Sequence, residues 1–118
     1  MTKNMEMEKE LLATVNDYQD LIEKEDAVLI YFYNDNCAPC LSLRPKVIDL
    51  IDGQFPKIKM VLSDSLAQPE VTAHFGAFSN PTLILFFGGR EYRRESKYIS
   101  IPQLAQTIER PYTMLFSN

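Results

Sequence analysis

The sequence predicts an α/β fold in which a central mixed β-sheet of about four strands is flanked by helices on both faces. Amphipathic segments with helical spacing alternate along the chain with short apolar runs typical of buried strands. A Gly88-Gly89 pair follows the last of these runs, which predicts a hairpin and therefore one antiparallel strand pair. The 118 residues have the length of one domain, so we expect a single domain over 1–118.

The first half of the chain contains two predicted helices around a strand. Apolar residues recur at helical spacing from about 6 to 24, so we expect an N-terminal helix region over 1–24. Ala27–Tyr33 is a continuous run of aliphatic and aromatic residues, which predicts a strand buried on both faces. A second helix is predicted over Cys37–Gly53. Pro45 within it should produce a kink, because proline removes a backbone hydrogen bond.

The second half of the chain should add a strand, a short helix, a hairpin and a final helix. These elements are expected at Ile58–Leu62, Gln68–Phe75, Thr82–Phe87, Glu91–Ser96 and Ile101–Ile108. Gly76 is placed to end the short helix, and Ser100 to cap the last one. Residues 111–118 form a tail with several apolar side chains. Packing on the domain is the expected arrangement, and an exposed interaction patch is the alternative.

Charge and hydropathy argue against several classes of protein. The formal net charge is −4 at pH 7, with 46% hydrophobic residues. A nucleic-acid or anionic-membrane surface would require a basic stripe, so we expect neither partner. The longest apolar runs are too short to span a bilayer, and the amino terminus lacks the apolar core of a signal peptide. We therefore expect a cytoplasmic protein, and we expect it to be a monomer.

Both cysteines of the chain, Cys37 and Cys40, lie in the stretch NCAPC directly after the first predicted strand. Half a zinc site, a redox pair and an inert buried pair are the possible interpretations. A zinc site needs two further ligands, and the chain contains one histidine, His74. At a helix start, unpaired N–H groups and the helix dipole favour a thiolate at Cys37. Cys40 follows one turn later, within reach of a mixed disulfide, so the pattern favours a redox pair that needs no metal or organic cofactor.

The order of these features resembles the thioredoxin family. The resemblance rests on VLIYFYNDNCAPC, on Pro45 in the following helix, and on FGAFSNPTLILFFGG. It covers about Asp17 to Ile108 and implies the thioredoxin fold. It also implies that Cys37 is the nucleophile, that Cys40 is the resolving thiol, and that Pro81 is a cis-proline packed against the disulfide.

The same resemblance implies a function and a set of substrate contacts. The reaction would be thiol–disulfide exchange with protein disulfide substrates, and the recycling partner a thioredoxin-reductase-like protein or a small thiol. The implied substrate-binding residues are Asn36, Ala38, Pro39, Asn80 and Pro81, with Asn80 presenting backbone groups to an extended peptide. The alternative is a thioredoxin-like binding or adaptor module, in which redox state tunes association or no catalysis occurs.

The motif itself and the strand before it depart from the family's pattern. Asn36 stands where the family has a tryptophan, which makes the docking surface smaller and more polar. Tyr31 stands where the family has a buried aspartate, and Leu62 where it has a lysine. We expect Tyr31 to pack in the core, because tyrosine suits a buried strand. The proton of Cys40 would then pass to water, a backbone group or Asp35.

The last strand departs from the pattern as well. Lys97 or Tyr98 matches a small glycine that the family places beside the substrate groove, so a larger side chain would crowd that groove. Several basic residues cluster in the same region, namely Arg90, Arg93, Arg94 and Lys97. A solvated edge strand that carries protective charges is the expected meaning of this cluster.

Overall fold

A computed structural model of the protein describes residues 12–117, in which helices and strands alternate as predicted. In chain order they are α1 Val15–Lys24, β1 Ala27–Tyr33, α2 Ala38–Gln54, β2 Lys59–Asp64, α3 Pro69–Phe75, β3 Thr82–Phe87, β4 Arg90–Ser96 and α4 Ile101–Phe116. The strands form one four-stranded sheet in the order β2-β1-β3-β4. Because β1 pairs in parallel with β2 and antiparallel with β3, the predicted mixed sheet is confirmed.

The sheet separates two apolar layers. Every residue of β1 is buried, and its side chains alternate between the two faces. Leu29 and Tyr31 pack in a cluster with residues of α2 and α4, whereas Ile30 and Phe32 pack with residues of α1 and α3. The predicted coverage of both faces is therefore confirmed. No helix within residues 12–117 has the length and apolar character needed to cross a bilayer.

Helix α1 begins later than predicted. Thr14 is its N-cap, and the Thr14 side chain accepts a hydrogen bond from the Asp17 N–H. The Asp17 carboxylate in turn accepts a hydrogen bond from the Thr14 N–H, which completes a capping box. The prediction of a helix is therefore wrong for residues 12–14. The helical spacing of apolar residues continues upstream of Thr14 in the sequence, but the helix itself begins after the cap at Thr14. Residues 1–11 lie outside the described part of the chain.

The observed bounds of most other helices and strands agree closely with the predicted ones. Pro45 lies inside α2, as predicted. The second strand ends at Asp64 instead of Leu62. Gly76 ends α3 in the left-handed conformation with a φ of 66°, and the Ser100 hydroxyl caps α4 by accepting a hydrogen bond from the Gln103 N–H. The cap signals thus located the helix ends more accurately than the apolar spacing did.

Strand β4 is the edge strand that the basic cluster predicted. It lies at the end of the sheet, and each of its residues is exposed or half-buried. Arg94 is paired within the strand, since its guanidinium donates two hydrogen bonds of 2.7 and 2.8 Å to the Glu91 carboxylate. These charges cover an edge that would otherwise be free to pair with another strand.

The segment after Ile108 differs most from the prediction. Helix α4 continues through Pro111 to Phe116, so most of the predicted tail is helical. The Tyr112 ring packs against Phe55 and Phe116, with centroids 5.1 and 4.8 Å apart. Its hydroxyl accepts a hydrogen bond of 3.1 Å from the Lys57 N–H. The end of α4 therefore packs on the domain through Tyr112.

A Tyr112→Ala substitution tests this packing. We expect it to lower the free energy of unfolding by about 2 kcal/mol, because it removes a half-buried ring from two aromatic contacts. Tyr112→Phe is the matched control. It keeps the ring and removes only the hydrogen-bond acceptor, at an expected cost of about 1 kcal/mol. Urea unfolding measures both, and equal costs would show that the ring contacts contribute nothing.

Candidate active site

The predicted site residues meet at one edge of the sheet. Strand β1 ends there at Tyr33 and leads into α2, and the Ser65 N–H after β2 donates a hydrogen bond of 2.7 Å to the Tyr33 carbonyl. Thr82, the first residue of β3, lies opposite Phe32 of β1 and Ser96 of β4. The ends of β1, β2 and β4 and the start of β3 are therefore brought together, although they are far apart in the sequence.

Cys37 and Cys40 differ in their access to solvent. They are joined as a disulfide at the start of α2, where Cys37 is the N-cap and their Cα atoms lie 5.2 Å apart. Cys37 is half-buried, whereas Cys40 is only 1% exposed. The Cys40 N–H donates a hydrogen bond of 3.2 Å to the Cys37 Sγ. In the reduced state the same N–H would point at a Cys37 thiolate and stabilise it, so the accessible sulfur is also the one placed to carry negative charge.

The residues around Cys37 form a continuous exposed surface. Asn36, Ala38 and Pro39 are all exposed. The Asn36 N–H donates a hydrogen bond of 2.9 Å to the Asn34 side chain, which shapes the loop before the motif. Pro39 lies in the first turn of α2, where its missing N–H leaves no helical hydrogen bond unmade. Contact of these three residues with a substrate stays a prediction.

Asn80 and Pro81 lie beside this surface, at the start of β3. The Asn80–Pro81 peptide bond is cis, as the family resemblance implies. The Asn80 side chain accepts a hydrogen bond of 3.1 Å from the Ser65 hydroxyl, and the Pro81 carbonyl accepts one of 2.9 Å from the Lys97 N–H. The loop before β3 is thus held from both sides. Sequence reasoning missed the role of Ser65, because it belongs to no motif and only the sheet order brings it to Asn80.

Tyr31 lies in the core beneath the motif and contacts it directly. Its side chain is fully buried, and its hydroxyl donates a hydrogen bond of 2.8 Å to the Cys40 carbonyl. Burial raises the pKa of Tyr31 to about 12, and the Arg44 guanidinium opposes part of that rise. Tyr31 is therefore protonated at neutral pH, so it is a hydrogen-bond donor and cannot accept the proton of Cys40. The expected core packing is observed, and the hydrogen bond to Cys40 is an addition to it.

Tyr31 and its neighbour on β2 form no ion pair beneath the motif, because neither side chain is charged at neutral pH. Tyr31 lies opposite Leu62 on β2, which is also buried. The two positions that differ from the family's aspartate and lysine are thus adjacent in space and are replaced together. The Arg44 guanidinium lies near this region, over the Tyr33 ring and 4.8 Å from its centroid. Sequence reasoning missed this contact, although Arg44 follows Cys40 by one helical turn.

The ligands that a zinc half-site would require do not converge in the described part of the chain. Within residues 12–117, no three His, Cys, Asp or Glu side chains are placed to share a metal ion. His74 is exposed, and its Nε2 lies 3.0 Å from the Gln19 Nε2. Its ring packs edge-on against Phe75 with centroids 4.8 Å apart. His74 is therefore a surface residue that packs on Phe75.

Comparison with known proteins identifies the family. The sequence profile of the family described as Thioredoxin matches residues 9–110. The thioredoxin-like protein YdfQ of Bacillus subtilis is 32% identical over 98 residues, which cover 81% of this chain and 85% of that protein. The thioredoxin of Alicyclobacillus acidocaldarius is 32% identical over 88 residues, covering 75% and 84% of the two chains.

A solved structure agrees with these sequence matches. Fasciola hepatica thioredoxin superposes with a TM-score of 0.75 at 28% identity, covering 84% of this chain and 95% of that one. The predicted family and fold are thereby confirmed, and disulfide exchange is favoured over the binding-module alternative. This chain belongs to the thioredoxin family and is a thiol–disulfide oxidoreductase.

Proposed function

We propose that Cys37 is the nucleophile that exchanges disulfides with protein substrates and that Cys40 is the resolving thiol. The observation that carries this assignment is the unequal burial of the two sulfurs. Cys37 is half-buried at the start of α2, and Cys40 is 1% exposed one turn later. A folded client can approach the first sulfur but not the second. Cys40 can therefore act only after the client is already bound to Cys37.

The exchange proceeds in two balanced steps. The Cys37 thiolate attacks one sulfur of the client disulfide, a Cys37–client bond forms, and the other client sulfur leaves as a thiolate. The Cys40 thiolate then attacks the Cys37 sulfur, the Cys37–Cys40 disulfide forms, and the second client sulfur leaves. The client gains two electrons and the enzyme loses them. Tyr31 cannot take the proton of Cys40, so that proton goes to water, a backbone group or Asp35, and the released client thiolates take up protons from the solvent.

The client is held by the exposed surface around Cys37 and by the loop before β3. Asn36, Ala38 and Pro39 lie on the α2 side of the reacting sulfur, and Asn80 and Pro81 on the β3 side. Asn80 offers its backbone groups to an extended peptide segment. The hydrogen bonds from Ser65 and Lys97 that hold this loop support the assignment, since they keep those groups in one position.

The cellular setting follows from the same chemistry. A reductase of the thioredoxin-reductase type or a small thiol returns two electrons to the Cys37–Cys40 disulfide, and no metal or organic cofactor takes part. We place the protein in the cytoplasm, where such reductants keep thiols reduced. We propose that it acts as a monomer in which the described residues, 12–117, form a single domain.

Insulin reduction tests this function. With dithiothreitol as the electron source, the protein is expected to accelerate precipitation of the insulin B chain well beyond the rate with dithiothreitol alone. A Cys37→Ser/Cys40→Ser double variant is the control, and it should give the dithiothreitol rate. Precipitation by the unaltered protein at that same rate would show that it is not a general protein disulfide reductase.

A further inference from the structure

Lys97 has an unfavourable backbone conformation next to the site. Its φ is 65°, and within residues 12–117 it is the one non-glycine residue with a positive φ. The Tyr98 N–H donates a hydrogen bond of 2.8 Å to the Ser96 carbonyl, which closes a tight turn centred on Lys97. Glycine is the residue that such a conformation favours, because an L side chain is strained there. The lysine is therefore present at a cost to stability, which indicates a role for its side chain.

This strained turn forms one wall of a groove beside the first turns of α2. The Lys97 N–H donates directly to the Pro81 carbonyl, so the turn is joined to the cis-proline loop. Between the turn and the first turns of α2 lies an open groove of about 380 Å³, which we name the Lys97 groove. Its lining includes Pro39, Ser42, Leu43, Lys97, Tyr98 and Ile99. Because Pro39 lies between the two cysteines, a client segment bound at Cys37 would extend into this groove.

Among residues 12–117, Lys97 is the one charged residue that lines the groove, whose other described residues are apolar or neutral. It is exposed, and no acidic residue in the described part of the chain forms an ion pair with it. Glu95, two residues earlier on β4, lies outside the lining. The cationic group is therefore available to a ligand.

The charges along this edge of the sheet are asymmetric. Asp64 ends β2, and Asp35 follows β1, whereas Lys97 follows β4. The strand order is β2-β1-β3-β4 and neighbouring strands lie roughly 4.8 Å apart, so β4 is separated from β2 by about 14 Å and from β1 by about 10 Å. A client that crosses the edge therefore meets acidic side chains after β1 and at the end of β2 and the Lys97 ammonium after β4, while the Arg44 guanidinium lies over the Tyr33 ring.

We infer that the Lys97 groove selects protein clients that carry an aspartate or glutamate next to the reacting cysteine, with Lys97 as the specificity-determining residue. The inference rests on the proposed disulfide exchange through Cys37. The client carboxylate pairs with the Lys97 ammonium, while its apolar neighbours contact Leu43 and Ile99 in the groove wall. An exposed ion pair gives a modest effect, which salt screens, so the selectivity is greatest at low ionic strength.

Two disulfide-linked peptides test the inference directly. They are identical except for a glutamate or a lysine beside the cysteine that Cys37 attacks. The second-order rate constant for reduction of each peptide by the reduced protein is measured at low and at high salt. We expect the glutamate peptide to react about five- to tenfold faster at low salt, and this ratio to fall towards unity at high salt.

Variants at Lys97 separate specificity from stability. Lys97→Glu keeps the strained backbone and reverses the charge, so it should reverse the preference. Lys97→Gly removes both the charge and the strain, so it should abolish the preference and leave the thermal midpoint unchanged or higher. Arg110→Glu, at an exposed position of α4 outside the groove, makes the same change in net charge as Lys97→Glu, so it should keep the preference.

Each contrary outcome has a distinct meaning. Equal rates for the two peptides with the unaltered protein would overturn the inference while leaving the exchange reaction intact. A preference that persists in Lys97→Gly, or that also reverses in Arg110→Glu, would overturn the role of Lys97. A lower thermal midpoint for Lys97→Gly would show that lysine is present for stability. Absence of reaction with both peptides would contradict the proposed function itself.

Discussion

A Cys37→Ser variant is expected to lose disulfide exchange, with a fall in the second-order rate constant of at least about a thousandfold. The serine hydroxyl is not ionised at neutral pH, and the remaining thiol of Cys40 is only 1% exposed. Insulin reduction and the exchange rate with a disulfide peptide both measure the loss. Far-ultraviolet circular dichroism is the check that the variant is folded.

The companion variant Cys40→Ser should behave differently, since it keeps the accessible nucleophile and removes the resolving thiol. The first exchange step would still occur, and the mixed disulfide with the client would then accumulate, because no second sulfur follows one helical turn later. Mass spectrometry under non-reducing conditions measures this adduct. The Cys37→Ser/Cys40→Ser double variant is the control. Equal trapping by Cys37→Ser and Cys40→Ser would contradict the assignment of roles to the two cysteines.

Tyr31→Ala is expected to cause the largest loss of stability, about 3–5 kcal/mol in the free energy of unfolding. Tyr31 is fully buried in β1, in the layer between the sheet and helices α2 and α4, so its truncation leaves a cavity in the core. Tyr31→Phe keeps the ring and removes only the hydrogen bond to the Cys40 carbonyl, at an expected cost of about 1 kcal/mol. Urea unfolding measures both changes. Equal costs would show that the ring does not fill the core as described.

The same residue predicts how stability depends on pH. Burial raises the pKa of Tyr31 to about 12, whereas in the unfolded chain it titrates near its ordinary value of about 10. The folded state therefore holds this proton more tightly, and the resulting stability is fully present below pH 10 and is lost as the pH rises towards 12. The loss attributable to Tyr31 is about 3 kcal/mol, because each unit of pKa corresponds to about 1.4 kcal/mol.

The Tyr31→Phe variant isolates this contribution. Its stability should fall less steeply than that of the unaltered protein when urea unfolding is repeated at increasing alkaline pH. Some dependence should persist, because burial also raises the pKa of Tyr18. Identical pH profiles for the two proteins would show that Tyr31 does not control alkaline stability.

The order of elements could be predicted because each depends on local physics. The apolar run Ala27–Tyr33 and the run Thr82–Phe87 are buried on both faces, so their strand bounds were visible in the sequence. Gly76 and Ser100 marked helix ends because the conformation or side chain needed there belongs to few residue types. The predicted bounds of the first and last helices were less accurate. Apolar spacing does not show where a capping box interrupts it, or that an aromatic contact such as Tyr112 with Phe55 extends a helix.

The site shows the same division between local and tertiary information. Both cysteines and their place at a helix start were evident from the stretch NCAPC, as was the departure at Asn36. The hydrogen bonds of Ser65 to Asn80 and of Tyr31 to Cys40 were not evident from the sequence. They join residues 15 and 9 positions apart, which only the folded structure brings together. The burial that distinguishes the two sulfurs was likewise invisible, since it depends on what packs around α2.

The sequence by itself determined the class of this protein: a redox-active cysteine pair at a strand-to-helix junction in a thioredoxin-type α/β chain. Local spacing and the special backbone demands of glycine and proline are sufficient for the α/β class and for the place of the cysteine pair, because they act over a few residues, and the thioredoxin family is indicated by the resemblance of the motifs along the chain. Only the tertiary structure decided that Tyr31 is a protonated donor beneath Cys40, and that Lys97 adopts a strained turn against Pro81. Those properties arise from burial and from contacts between distant strands, which sheet order creates and which no single segment encodes.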